Sequence, residues 1–153
     1  MILGFYGKHN SGKTALIEKI LPELKGRGYS VAVVKHATKA ETIDTPGKDT
    51  HRYGEAGANF AVLSLKAETS IIFKKALELD EILELLKNAV QPDIILVEGF
   101  KKTNIPKIAV GDIDLEENTV LRYEPENGDF DKILKYIDKS LAGVKSEILN
   151  TKP

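Results

Sequence analysis

Cysteine is absent from the 153-residue chain. That excludes disulfides, thiolate metal sites and cysteine nucleophiles. Arginine is scarce: Arg27, Arg52 and Arg122 are the only arginines among 22 basic residues. A polyphosphate chemistry would have to rest on lysines and backbone amides, or borrow charge from a partner. No sign of charge dominates, because 22 basic residues face 23 acidic ones. That balance predicts no nucleic-acid partner. An apolar run of roughly 18 residues, the least that crosses a bilayer, is also missing, so no membrane partner is expected. The first strand is expected from residue 2, which leaves no room for a signal peptide. A cytoplasmic protein with one domain over residues 1–153, loose over its last dozen residues, is the expectation.

What is present alternates between two periods. "ILGFY" reads as a short buried strand, and residues 13–26 as a helix with Leu16, Ile20 and Leu24 at four-residue spacing. Pro22 inside it predicts a kink or an early end, since an interior proline costs up to ~3 kcal/mol. "SVAVVKH" reads as a second strand covered on both faces. Residues 37–58 are polar, with a turn at Pro46–Gly47, and Gly47, Gly54 and Gly57 are placed for tight turns. Their tail from Asp49 predicts a short helix. "NFAVLSL" and "TSIIFKK" read as two strands around a turn at 66–68, one of them antiparallel at a sheet edge. Residues 79–89 form an amphipathic helix with Asp80 as the expected cap. "PDIILVEGF", "PKIAV" and "TVLRY" supply further strands, and residues 129–142 a last helix. Strands alternating with helices predict an α/β fold with a mostly parallel sheet flanked by helices, of the phosphate-loop nucleotide-binding type. In such sheets ligands bind beyond the carboxyl ends of the strands.

"GKHNSGKT" fits G-x-x-x-x-G-K-[ST] at Gly7, Gly12, Lys13 and Thr14, between a strand and a helix. The amides of Lys8, His9, Asn10, Ser11, Gly12 and Lys13 would curve around phosphate oxygens, aided by the helix N-terminus. Lys13 would reach the β and γ phosphates, and the Thr14 hydroxyl would meet Mg²⁺. Such a loop needs an acid on a neighbouring strand end. Asp93 and Glu98 bracket one strand, separated by five residues at about 3.3 Å each, or roughly 16 Å. Only Glu98 lies at the carboxyl end, where it would hold magnesium or position water. Lys35 and His36 end the second strand on the same side. They are candidates for a phosphate contact and for proton handling, or else a surface lysine and a satisfied histidine. His9 and His51 lack the partners a zinc site needs.

"IDTPGKDTHRYGEAG" reads as a nucleotide-responsive or substrate loop. Asp49 is a candidate for a magnesium-bound water or a helix cap. Arg52 could counter charge on a transferred phosphoryl group, or pair with Glu55. Lys74 and Lys75 could blunt the edge of "TSIIFKK", or that edge could pair across a two-fold axis. For the base, "TKAE" at 38–41 is misplaced for guanine recognition. Asp112 or Asp114 in "GDID" is better placed, with an acidic surface loop as the alternative.

The blocks "GKHNSGKTALIEKILPELKGRGYSVAVVKH", "IDTPGKDTHRYGEAGA" and "PDIILVEGFKKTNIPKIAV" together resemble the molybdopterin-guanine dinucleotide biosynthesis adaptor family. The resemblance covers most of residues 1–110. It implies a homodimeric GTP- and Mg²⁺-binding accessory protein, at most a weak GTP hydrolase, with molybdopterin as a further candidate ligand. Its implied partner is the molybdenum cofactor guanylyltransferase, with transient contact to molybdopterin-handling enzymes. Gly7–Thr14 would bind phosphates, and Asp49 and Glu98 would lie around magnesium. Two other readings stand beside it: a small-molecule kinase of the same fold, and a non-hydrolytic carrier of nucleotide or cofactor. The acidic stretch after residue 110 departs from some relatives, as does "ATKAE" after His36.

Overall fold

The computed structural model describes residues 1–37, 41–127 and 129–150, with side chains to residue 143. The 38–41 stretch weighed for guanine recognition, and Lys39 with it, falls largely outside these residues. Two compact units are present, one of Met1–His36 with Leu83–Pro153 and one of Ala37–Ile82.

The first unit is built on a five-stranded sheet: β1 (Ile2–Tyr6), β2 (Val31–Lys35), β5 (Ile94–Glu98), β6 (Lys107–Val110) and β7 (Thr119–Tyr123). The second unit contributes β3 (Phe60–Ser64), β4 (Thr69–Phe73) and α2 (Asp49–Glu55). The remaining helices are α1 (Lys13–Gly26), α3 (Leu79–Ala89) and α4 (Phe130–Asn150). The sheet runs in the order β2-β5-β1-β6-β7, and every neighbouring pair is parallel. The expected α/β class with a mostly parallel sheet flanked by helices is therefore the observed one.

Two-residue alternation sets the faces. Leu3 and Phe5, Ile94 and Leu96, and Ile108 and Val110 join one buried cluster with Leu16, Ile20 and Leu24 of α1 and Ile133, Ile137 and Leu141 of α4. The helices meet it with their apolar spacing. α1 runs through Pro22 to Gly26, so the expected early end does not occur. Arg27 and Gly28 close it: the Arg27 amide donates to the carbonyls of Glu23 and Leu24, and Gly28 takes φ 79°. α4 continues past the predicted 142 to Asn150.

β2 was expected to be covered on both faces. It is instead the outer strand of its sheet, and Val33 is 47% exposed. β5 and β6 are the fully covered strands, with every residue buried. At its amino end the Asp93 carboxylate accepts from the Ser30 amide and hydroxyl, both at 2.8 Å. The chain then passes from β5 to β6, on opposite sides of β1, through residues 99–106 without a helix. Lys107, only 3% exposed, fixes this crossover by donating to the carbonyls of Lys101 (2.8 Å) and Thr103 (2.9 Å).

In the second unit β3 and β4 pair antiparallel, as expected, and form a two-stranded sheet of their own. Lys74 follows β4 and turns inward to the buried Asp44, which also accepts from the Thr50 hydroxyl at 2.7 Å. Gly54 serves this pair: a Cβ there would stand 2.6 Å from the Lys74 Cε. Gly54 thus lies inside α2 and makes room for a lysine stem, where a tight turn was expected. Lys75 pairs with Glu81 at 2.9 Å, so neither lysine is left as a free charge on the strand edge. Glu81 also accepts from the Glu78 amide at 2.8 Å, and so closes the start of α3 in place of Asp80.

Candidate functional site at the carboxyl ends of the parallel strands

Residues Gly7–Gly12 join β1 to α1 at the carboxyl end of the central strand. The loop is tightly enclosed on one side. A Cβ at Gly7 would stand 2.4 Å from the Val110 carbonyl oxygen, and backbone cannot yield as a side chain can. Gly12 enters the helix at φ 91°, a conformation open chiefly to glycine. Asn10 also takes positive φ, at 59°. No side chain caps α1 and no acid lies in its first turn. The helix therefore presents uncapped amides and its positive dipole end to this loop. Lys13 folds back over it, donating to the carbonyls of Lys8 (2.6 Å) and Gly7 (3.2 Å). Burial holds its pKa below the ordinary lysine value, Glu98 opposes that shift, and the charges of Lys101 and Lys35 add to it.

Glu98 ends β5, is 8% exposed, and stands beside this loop because β5 pairs with β1. The Thr14 hydroxyl lies 3.1 Å from its Oε1 and 3.0 Å from its Oε2. Lys35, opposite Glu98 in the β2–β5 register, brings its ammonium within 3.3 Å of the carboxylate. Lys13, Thr14, Lys35 and Glu98, named from the sequence, thus form one group. The His36 amide donates to the Glu98 carbonyl at 2.9 Å. Its ring packs against Phe100 with centroids 4.4 Å apart. Phe100 holds φ 49°, a strained conformation for an aromatic residue, directly after the Glu98–Gly99 strand end.

On the other side of the loop lies an open cleft of about 590 Å³. Lys8, His9, Asn10, Ser11 and Gly12 form one wall, and Gly111, Asp112 and Glu124–Asn127 the other. The first wall follows the carboxyl end of β1 and the second those of β6 and β7, so Asp112 lines the cleft beside the glycine loop.

Asp49 and Arg52 lie in the second unit, on α2. Asp49 is the first helical residue and makes no side-chain cap; Lys48 holds the cap position. Its carboxylate, 78% exposed, lies 3.5 Å from Arg52. Arg52 therefore pairs with Asp49, and Glu55 takes His51 at 3.4 Å instead. Among the described residues no cluster of three or more His, Cys, Asp or Glu could hold a metal alone.

Three contributors were not singled out from the sequence. Lys101 sits in "LVEGFK" just beyond Glu98, and its charge acts on Lys13. Lys107 lies in "PKIAV", and its buried ammonium fixes the crossover. Arg122 on β7 donates to the Ile113 carbonyl at 2.7 Å and the Gly111 carbonyl at 3.5 Å. Its scarcity was the only signal that it mattered.

The family model described as "Molybdopterin guanine dinucleotide synthesis protein B" matches residues 2–127. The chain belongs to that family. The molybdopterin-guanine dinucleotide biosynthesis adapter protein of Haemophilus influenzae is 38% identical over 109 residues, which cover 70% of this chain and 61% of that protein. The Escherichia coli protein of the same description is 31% identical over 112 residues, covering 71% and 64%. The chain thus spans a little over three fifths of these curated relatives. The Bacillus subtilis MobB crystal structure shares the fold, with a TM-score of 0.68 at 23% identity over 88% of this chain and 96% of that one. Membership in the MobB family, with its phosphate-loop-related fold, accords with the resemblance carried by the three sequence blocks.

Proposed function

We propose that this chain is a GTP-binding accessory protein that assists a guanylyltransferase in converting molybdopterin to its guanine dinucleotide form, with weak GTP hydrolysis of its own. The observation that carries the reading is the bond between Thr14 and the buried Glu98 at the mouth of the Gly7–Gly12 loop. A hydroxyl on the first turn of α1 and a carboxylate on the adjacent strand end are hard oxygen donors. Magnesium takes one or two such protein ligands and completes its octahedron with water and phosphate oxygens. Thr14 and Glu98 therefore fit the ion, which would supply charge neutralisation to the triphosphate. Asp49 belongs to the second unit, and its role around magnesium rests on the family resemblance alone. Lys13, already desolvated at the loop, exchanges its carbonyl partners for phosphate oxygens. Lys35 and His36 line the approach from β2, and Arg52 is the candidate counter-charge in a chain with so few arginines. Asp112 accepts hydrogen bonds from the base in the cleft beyond. Among the described residues no general base stands out, which suits slow turnover.

A homodimer is part of the same reading. Phe60 and Val62 lie directly opposite Phe73 and Ile71 on one face of the β3–β4 hairpin, and all four are exposed. A two-stranded sheet is at best marginally stable alone, and a contiguous apolar face invites cover. A second copy of the hairpin is the proposed cover.

Calorimetry with Mg-GTP, followed by assays of guanine dinucleotide formation with and without this chain, tests the proposal. Binding together with stimulation of the guanylyltransferase is expected. No binding and no effect would overturn it. Full stimulation by a non-hydrolysable GTP analogue would place the chain as a carrier and make hydrolysis incidental.

A further inference from the structure

Arg122 projects from β7 toward the turn that follows β6. One guanidinium reaches the carbonyls of Gly111 and Ile113, on either side of Asp112, at 3.5 and 2.7 Å. The same group lies 3.7 Å from the carboxylates of Asp112 and Glu124. Asp112 and Glu124 both line the cleft beside the Gly7–Gly12 loop, and Asn127 lines it with them. The chain between this turn and β7 is tied to β1, because the Tyr6 hydroxyl accepts from the Glu116 amide at 2.8 Å and lies 2.7 Å from Thr119 Oγ1.

We propose that Arg122 is the positioning residue that sets the base preference of the nucleotide cleft, by fixing the Gly111–Ile113 turn so that Asp112 presents its carboxylate to guanine. This depends on nucleotide binding at the Gly7–Thr14 loop. The chemistry is one of complementary edges. Guanine offers two adjacent donors, N1–H and the N2 amino group, which one carboxylate can accept together. Adenine offers an acceptor at N1 and only a hydrogen at C2, so the same carboxylate meets a lone pair where guanine presents its two donors. The discrimination requires a carboxylate held in place. Asp112 is 98% exposed at its side chain and cannot be held by packing. An exposed ion pair at 3.7 Å is a weak restraint. The two carbonyl bonds are the stronger one, because a planar guanidinium can bridge two backbone acceptors and a lysine ammonium on the same strand cannot reproduce that fork. With Asp112 and Glu124 both near it, Arg122 also offsets their mutual repulsion and keeps the rim tolerable to a triphosphate.

The test compares Mg-GTP, Mg-ATP and inorganic tripolyphosphate binding to the full chain by calorimetry, for the wild type, Arg122→Gln, Arg122→Lys and Asp112→Asn. The wild type is expected to prefer GTP over ATP. All three variants are expected to lose about tenfold or more of that preference while keeping tripolyphosphate affinity. A merely structural role would weaken all three ligands together. Wild-type binding of GTP and ATP with equal affinity would overturn the proposal, as would Arg122→Gln retaining the wild-type ratio. If Arg122→Gln loses tripolyphosphate binding through misfolding, Arg122→Lys decides, and a preserved ratio there overturns it. A wild type that binds none of the three ligands would instead sink the phosphate-site reading beneath it.

Discussion

The proposed phosphate site depends most on one ammonium group, that of Lys13. Without a phosphate it is satisfied by carbonyls of its own loop, and burial lowers its pKa from the ordinary 10.5. The sign of the consequence is fixed. A lysine with a depressed folded-state pKa makes the charged form costly in the fold, and that cost is relieved as pH rises through the folded value. An anion site needs the charged form, so Mg-GTP affinity should hold at neutral pH and fall as pH rises through the depressed pKa, earlier than for an unperturbed lysine. Lys13→Arg should abolish this alkaline limb, since arginine stays charged. Lys13→Ala should weaken binding between about tenfold and a hundredfold at neutral pH. Titration calorimetry across pH measures both. An alkaline limb shared by Lys13→Arg would assign it elsewhere.

At the scale of elements, the 43–58 segment is organised by one buried polar node. Asp44 takes its hydrogen bond from Lys74 at the end of β4 and another from Thr50 on α2. These bonds, the Lys74 one foremost, hold its pKa below the ordinary 3.8. Its folded pKa is depressed, so the stability it contributes is present above 3.8 and lost as pH falls through the folded value. Hydrogen exchange of the α2 amides should accelerate only in that acid range, and Asp44→Asn should give fast exchange already at neutral pH. Slow neutral exchange in Asp44→Asn would show that the node does not hold α2. The parallel strands need no such device, because β5 and its neighbours satisfy one another along the whole ladder.

For the whole molecule, the exposed face of the β3–β4 hairpin makes assembly the measurable property. Val62→Lys places a charge opposite Ile71, at the centre of the apolar face. Analytical ultracentrifugation should show the dimer dissociation constant raised at least about thirtyfold, as for loss of a central interface anchor. Mg-GTP affinity should be unchanged if each first unit carries its own phosphate site. A wild-type chain that remains monomeric at high concentration would refute the hairpin as a self-interface.

The elements were legible where one period dominated. Leu16, Ile20 and Leu24 announced α1, and "IILVE" announced β5, because burial of a repeating face leaves its spacing in the sequence. The glycine loop and Thr14 were legible as a G-x-x-x-x-G-K-[ST] spacing between strand and helix, and Glu98 as the acid at a carboxyl strand end. Asp112 could be placed by the rule that ligands collect at carboxyl strand ends. The outer position of β2 was not legible, because a valine run looks the same in any strand of a parallel sheet. Nor were the partners of Lys74, Arg52 and Glu81, since charged side chains choose among several reachable groups and the choice depends on distances set by folding.

The sequence by itself determined the class of fold, the strand-loop-helix junction at Gly7–Thr14 and the acid that faces it, because each is encoded in local spacing. Only the tertiary structure decided the strand order β2-β5-β1-β6-β7, and with it which strand ends share a cleft. That order brings Lys35 to Glu98, encloses Gly7 against Val110, and carries Arg122 to the carbonyls on either side of Asp112. Such meetings join residues far apart along the chain, where no local period or offset can record them.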